Sequence, residues 1–160
     1  MTPRFILDEN VLILAQSGID ERGNPSTVCS DLVETIIEIC HTIVVDDVLW
    51  DKYDNQLYRD AYHHPERGPY MMATLWNALM RPDKIDGLGH TSQTFTDEAL
   101  IPSGSRDDTF LVRLAVATGA IMVTADTPLR NDLESTGIRY RYNLEVVTPE
   151  EALVSLTLSG

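Results

Sequence analysis

The fold of this chain is decided by the stretch Gly119-Ala120-Ile121-Met122-Val123-Thr124-Ala125-Asp126. A glycine ends the preceding helical pattern, a short apolar run follows, and an aspartate closes it. Continuous apolar runs of this length are typical of strands buried on both faces, as in a parallel sheet covered by helices. We therefore predict a strand from Ile121 to Thr124, with Asp126 just beyond its carboxyl end.

Strand and helix patterns alternate on both sides of this stretch. Further strands are predicted at 4–8, 42–46 and 144–147, and a short one near Gln93 to Phe95 in the poorly patterned stretch 82–106. Helices are predicted at 9–17, 27–40, about 47–61, 70–80 and 107–118, then in a short segment ending at 135, and after Thr148. The alternation predicts an α/β fold, a three-layer α/β/α sandwich with a mostly parallel central sheet, in one domain spanning 1–160.

Three aspartates fall where a predicted strand meets a helix or a turn. Asp8 closes Phe5-Ile6-Leu7, Asp126 follows the strand at 121–124, and Asp108 opens the helix before that strand. Each aspartate taken singly is explained as a helix cap or turn residue. Parallel sheets, however, gather ligands at the carboxyl ends of their strands, so these carboxylates are expected to converge. Converging carboxylates repel one another, and a hard divalent metal is the simplest cation to share their site.

Three segments taken together resemble the PIN domain family, the nuclease fold of toxin ribonucleases in toxin–antitoxin pairs and of RNA-processing enzymes. The matching segments are 5–12, 108–115 and 119–126, and the stretch 146–153 resembles the usual ending of the family. The resemblance covers both ends of the chain, and 55–105 matches little. It implies a PIN-like fold and a Mg²⁺- or Mn²⁺-dependent endoribonuclease that hydrolyses RNA phosphodiester bonds.

The resemblance also assigns residues to roles. Asp8, Asp108 and Asp126 match the catalytic, metal-binding acids of the family, and Asp107 is a neighbour that can assist or replace Asp108. Asn10 matches a polar residue of the family beside the first acid, and Thr124 matches one near the last acid. Both would orient water or a carboxylate. Members of the family include toxins and often dimerise, so the expected partners besides RNA are a basic antitoxin or another protein, and a second copy of the chain in a homodimer.

The fourth acid of the family has no clear counterpart here. Where the family has a glutamate, on the helix after the second strand, this chain has Lys52, with Asp51 adjacent. At about 100° of rotation per helical residue, Lys52 lies about 60° and Asp51 about 160° from the inward-facing Leu49. Either Asp51 becomes a metal ligand after a helix shift, or the fourth acid is missing. The second case favours an alternative function, a catalytically weakened PIN-like domain that acts as a protein-binding module.

The charge of the chain restricts the kinds of partner it can bind. Asp and Glu number 25 against 12 Lys and Arg, which gives a net charge of −13 and does not describe a general nucleic-acid binder. Five arginines in the C-terminal half offer a local basic patch for RNA: Arg106, Arg113, Arg130, Arg139 and Arg141. The acidic remainder would suit a basic protein partner.

Two other classes of protein fit the sequence poorly. A phosphoryl-accepting receiver domain also gathers acids at strand ends, but it needs a lysine after a late strand, and none follows Val146-Val147. A membrane protein needs a long apolar run, which the sequence lacks, and Met1-Thr2-Pro3-Arg4 leads into a strand and not into a signal peptide. A cytoplasmic protein with no membrane partner is therefore expected.

Overall fold

A computed structural model describes residues 3–39, 42–63, 85–87 and 94–159. These residues contain a five-stranded parallel sheet with the order β3-β2-β1-β4-β5. The strands are β1 (Arg4–Leu7), β2 (Thr42–Val45), β3 (Ile85–Gly87), β4 (Ile121–Val123) and β5 (Val146–Val147). The predicted parallel sheet is confirmed.

Helices cover the sheet and complete a three-layer α/β/α fold. They are α1 (Glu9–Ser17), α2 (Val28–Glu38), α3 (Asp47–His63), α4 (Thr109–Thr118), α5 (Thr127–Ser135), α6 (Ile138–Arg141) and α7 (Pro149–Ser159). Two 3-10 helices precede α4, at Glu98–Leu100 and Ser103–Asp108. Within the described ranges, no helix is long and apolar enough to cross a membrane.

The order of the strands creates a crevice beside β1. The chain adds β2 and β3 on one side of β1, then crosses back to add β4 and β5 on the other. The carboxyl ends of β1 and β4 therefore form the point where the order of the strands reverses, which is where open α/β sheets bind ligands. Because Leu7 is in register with Val123, the residues that follow these two strands are neighbours in space.

One hydrophobic core joins the two ends of the chain. It runs from Phe5 in β1 to Leu156 in α7 and includes the fully buried Ile6 and Leu7 of the central strand. The helix α2 packs against both α1 and α7, so the last helix is held against the first part of the chain. The strand β1, which ends just before Asp8, therefore lies in a core to which both ends of the chain contribute.

The structure departs from the sequence prediction between 82 and 106. No strand forms at Thr94 or Phe95, and the third strand of the described sheet is instead Ile85–Gly87, paired with β2. The buried Phe95 ring packs edge-on against Tyr142 at 5.1 Å between centroids, and the Thr96 backbone N–H donates to the Tyr142 hydroxyl at 3.2 Å. This segment is thus held by a side chain and not by a strand neighbour. Gln93 and the predicted helix at 70–80 lie outside the described residues.

Two further boundaries differ for visible reasons. The helix predicted from 107 begins at Thr109, because the residues just before it form a 3-10 helix. The last strand is only Val146–Val147, because the Leu144 backbone N–H donates to the Arg139 carbonyl at 2.8 Å and not to a neighbouring strand. Arg139 lies in α6, a short helix that the sequence does not predict. Gly119, at φ 71°, ends α4 as predicted, in a left-handed conformation that glycine adopts without strain.

Candidate active site at the carboxyl edge of the sheet

Asp8 is the first residue after β1 and is almost completely buried, with 3% of its surface exposed. Its backbone N–H donates to the carbonyl of Val123 at 2.9 Å, so pairing with β4 fixes its position. Its carboxylate oxygen Oδ2 accepts from the Thr124 hydroxyl at 2.7 Å and from the Asn10 amide at 3.2 Å. Both polar residues predicted to lie beside the acids therefore contact Asp8.

Thr124 joins Asp8 to the turn that carries Asp126. The Thr124 hydroxyl, fully buried, donates to Asp8 and accepts from the Asp126 backbone N–H at 3.0 Å. Asn10 makes a parallel connection, since its side-chain oxygen accepts from the Ala125 N–H at 3.4 Å. The ends of β1 and β4 are thus joined by side-chain bonds where their backbone ladder ends.

The three predicted acids differ in how far helix capping explains them. Asp126 caps α5, because its Oδ1 accepts from the Leu129 N–H at 3.1 Å. Asp8 and Asp108 also occupy N-cap positions, of α1 and α4, but among the described residues neither carboxylate accepts a capping bond. Capping therefore does not account for the carboxylates of Asp8 and Asp108.

Asp108 is brought to the site by the 3-10 helix Ser103–Asp108, which packs against α4 and α5. The Ser105 hydroxyl donates to Asp132 of α5 at 2.6 Å and fixes the two elements together. Asp108 is partly buried at the end of this helix, whereas Asp107 beside it is exposed. Asp107 acts on Asp108 through its charge.

The electrostatics connect these acids into one cluster. Burial raises the pKa of Asp8 to about 6, the Thr124 hydrogen bond opposes that rise, and the charges of Asp108, Glu9 and Asp126 add to it. Burial, and then the charge of Asp126, also raises the pKa of Asp108. Carboxylates that raise one another's pKa are costly to ionise together, so a cation placed among them is stabilised.

The structure brings Lys52 to this cluster and does not bring Asp51. Asp51 is exposed on α3, while Leu49 and Tyr53 of the same helix are buried, so the helix shift that Asp51 would need has not occurred. The Lys52 Nζ lies 3.7 Å from Glu9 Oε1 and 4.9 Å from the centre of the Phe110 ring. Its positive charge lowers the pKa of Asp108, against the effect of burial and Asp126.

Glu9 and Tyr53 contribute to the site, although the sequence assigned neither residue a role there. Glu9, in the first turn of α1, acts electrostatically on both Asp8 and Asp108. The buried Tyr53 hydroxyl donates to the Leu7 carbonyl, next to Asp8. Burial and the charge of Asp8 raise the pKa of Tyr53 well above its usual value, so it remains a neutral donor. The sequence contains only weak signals for these two residues. Glu9 is an acid in the first turn of a helix, and Tyr53 is a tyrosine on an inward-facing stripe, where its hydroxyl needs a hydrogen-bond partner.

The donor set fits a hard divalent cation in its chemistry. Asp8, Asp108 and Asp126 offer carboxylate oxygens, which are the ligands that Mg²⁺ and Mn²⁺ prefer. In the part of the chain that the structure describes, no three Asp, Glu, His or Cys side chains lie close enough together to enclose an ion. The acids thus form an open, electrostatically coupled cluster. Repulsion between the carboxylates favours this open arrangement.

No family model and no curated protein matches the chain. It is similar to the crystal structure of PAE2754 from Pyrobaculum aerophilum, with 15% sequence identity, a TM-score of 0.48, and coverage of 98% of this chain and 90% of that chain.

Replacing Asp8 by asparagine is expected to stabilise the metal-free protein at high pH. Because the pKa of Asp8 is raised from 3.8 to about 6, the folded state loses stability as pH rises through this window, and the whole cost is present above it. A shift of about 2 pKa units corresponds to about 3 kcal/mol. The stability of Asp8→Asn relative to wild type should therefore improve by up to about 3 kcal/mol between pH 4 and pH 8. Urea unfolding in the presence of EDTA measures this difference.

The matched control for this measurement is Asp51→Asn, the same chemical change at an exposed position. Its stability relative to wild type should change little between the two pH values. An equal pH dependence for the two variants would contradict the assignment of a buried, repelled carboxylate to Asp8.

Replacing Thr124 by valine tests the hydroxyl that connects Asp8 to Asp126. The change keeps the shape of the side chain but removes one bond to a buried carboxylate and one from a backbone N–H. We expect a loss of about 1–3 kcal/mol in unfolding free energy. The pKa of Asp8, followed by NMR of its carboxyl carbon, should rise above about 6. Thr124→Ser keeps the hydroxyl and is the control; equal pKa values in the two variants would show that the hydrogen bond has no effect on Asp8.

Proposed function

We propose that this protein is a Mg²⁺- or Mn²⁺-dependent endoribonuclease with a PIN-like fold. The observation that carries the proposal is Asp8, a buried carboxylate at the reversal point of the sheet, with its pKa raised to about 6 by burial and by the neighbouring acids. Such a group is stabilised when a cation binds beside it. RNA as the substrate, and a role as the toxin of a toxin–antitoxin pair, rest on the resemblance of the segments 5–12, 108–115 and 119–126 to the PIN family.

Asp8, Asp108 and Asp126 would hold the metal ion, with Asp107 and Glu9 adding negative charge nearby. A bound divalent ion supplies a water of lowered pKa and neutralises charge on a phosphodiester. Asn10 and Thr124 hold Asp8 through its Oδ2, which leaves Oδ1 outside both of these bonds. Tyr53 secures the strand end below Asp8 through its bond to Leu7. These residues would keep the carboxylate in place during the reaction.

A second candidate function is a protein-binding module without nuclease activity. The observation that favours it is Lys52, a partly buried ammonium group beside Glu9 that also acts on Asp108. An internal cation offsets part of the acidic charge and so weakens the need for a metal. The acidic chain, at −13, would then attract a basic partner.

Replacing Asp8, Asp108 or Asp126 singly by asparagine is expected to abolish Mn²⁺-dependent cleavage of a mixed RNA substrate. The loss should exceed about 100-fold, or about 2.7 kcal/mol of transition-state stabilisation. Asparagine is as good an N-cap residue as aspartate, so the helices that follow these positions should persist. Calorimetry with Mn²⁺ and thermal unfolding with and without Mn²⁺ give readouts that do not depend on activity.

Asp51→Asn is again the matched control and should retain both cleavage and Mn²⁺ binding, because Asp51 is exposed and away from the cluster. If it abolishes metal binding, the fourth ligand is Asp51 after all. If Mn²⁺ neither binds nor stabilises the wild type, the nuclease proposal fails and the binding module becomes the better account.

Replacing Lys52 by methionine distinguishes the two candidate functions. Removal of a positive charge beside Glu9 and Asp108 should strengthen Mn²⁺ binding by about threefold to tenfold, up to about 1.4 kcal/mol. Lys52→Arg keeps the charge and is the control for changes in packing on Phe110. A site disarmed by Lys52 would bind Mn²⁺ only in Lys52→Met. Weaker binding in Lys52→Met than in wild type would instead mean that Lys52 supports the metal site.

A further inference from the structure

The arginines of the C-terminal half are not equivalent once their contacts are known. Three of them form ion pairs on the surface: Arg113 Nε with Glu98 Oε1 at 2.6 Å, Arg139 Nη1 with Glu134 Oε2 at 2.9 Å, and Arg141 Nη1 with Asp97 Oδ2 at 2.8 Å. Each of these guanidinium groups is already next to a carboxylate. Their charges are locally offset, and an anionic ligand would have to compete with that carboxylate.

Arg106 and Arg130 are different, because within the described residues neither forms an ion pair with a carboxylate. Arg106 is exposed in the 3-10 helix, two positions before Asp108. Arg130 lies in the first turns of α5, the helix that Asp126 caps, and its Nη2 donates only to a neutral group, the Thr127 hydroxyl, at 3.0 Å. The two arginines are thus close along the chain to two of the three acids, Arg106 two positions before Asp108 and Arg130 four positions after Asp126.

The elements that carry these two arginines are fixed to each other. Ser105, next to Arg106, donates to Asp132 at 2.6 Å, and Asp132 lies two positions after Arg130 on α5. The 3-10 helix packs against α5 along this contact. Contacts between two helices, and not a loop, thus set the relative backbone positions of the two arginines.

The other three arginines of the C-terminal half already lie against carboxylates, in a chain with 25 acidic and 12 basic residues. Guanidinium groups are well suited to phosphate, because their planar donors form paired, charge-assisted hydrogen bonds with its oxygens. Arg106 and Arg130, which have no carboxylate partner in the described part of the chain, are therefore available to bind phosphates near the candidate site.

We propose that Arg106 and Arg130 bind backbone phosphates of the RNA on either side of the acid cluster. This proposal rests on the proposed ribonuclease function. It adds a path for the RNA strand, from the 3-10 helix Ser103–Asp108 across the acids to the first turns of α5. Contacts of this kind position the strand and are independent of its sequence. They also explain how an acidic protein can hold a polyanion, through a local pair of cations and not through its net charge.

Binding of a fluorescein-labelled RNA oligonucleotide in EDTA, followed by anisotropy, tests the proposal without cleavage. Arg106→Gln and Arg130→Gln should each weaken binding about fivefold to tenfold, and each should lower the slope of log K against log salt by about 0.7. Arg139→Gln and Arg141→Gln are the matched controls, since they change the charge equally but remove arginines that are ion-paired. The controls should change affinity less than about twofold. Thermal unfolding of all four variants checks that the fold is retained.

Three results would overturn the proposal: equal weakening in all four variants, no weakening in Arg106→Gln and Arg130→Gln, or no binding of RNA by the wild type. Competition by polyglutamate as effective as that by RNA would also reject it, in favour of an acidic protein ligand. An assay of Mn²⁺-dependent RNA cleavage tests the nuclease proposal independently of the arginine assignment. The expected binding pattern without cleavage rejects only the nuclease, and cleavage with unchanged binding in Arg106→Gln and Arg130→Gln rejects only the arginine assignment.

Discussion

The hydrogen bond from Thr124 to Asp8 is the interaction on which the site depends. It places a donor against a carboxylate that would otherwise be buried among other acids, and it joins the ends of β1 and β4. The same hydroxyl accepts from the Asp126 N–H, so the position of the second acid is set by the group that stabilises the first. Asn10 makes a second connection of the same kind, because its side chain donates to Asp8 and accepts from the N–H of Ala125, the residue after Thr124. The carboxyl edge of the sheet is thus rigid at the place where its charge is most concentrated.

Charges of both signs lie at this edge of the sheet. Acids gather around Asp8, and the ammonium group of Lys52 lies beside Glu9. Arg106 and Arg130, which form no ion pair within the described residues, are close in the chain to Asp108 and Asp126. Beyond these, the described arginines of α4 and α6 are offset by acids of their own. The net charge of −13 therefore describes the chain as a whole and says little about the field that a ligand meets at the crevice.

Much of the fold followed from the sequence because its signals are local and repeated. The apolar run before Asp126 identified β4, and the parallel arrangement then placed the residues after β1 and β4 together. The role of Asp51 could not be settled in this way, because the orientation of α3 depends on the packing of Leu49 and Tyr53. Likewise, the ion pairs of Arg113 and Arg141 depend on Glu98 and Asp97, in a stretch without periodic pattern. Interactions between distant, irregular segments have no signature in a single sequence.

The separation of Asp8 and Thr124 along the chain has a consequence for biosynthesis. The two residues are 116 positions apart, yet β1 obtains its neighbour β4 and Asp8 its hydrogen bond only when both are present. Contacts between such distant positions form late, since a long loop must close before they are made. Until β4 has been synthesised, Asp8 lacks its hydrogen bond from Thr124 and β1 lacks one of its two neighbouring strands. The site is therefore assembled only after most of the protein has been synthesised, and a prematurely terminated chain that ends before β4 lacks it altogether.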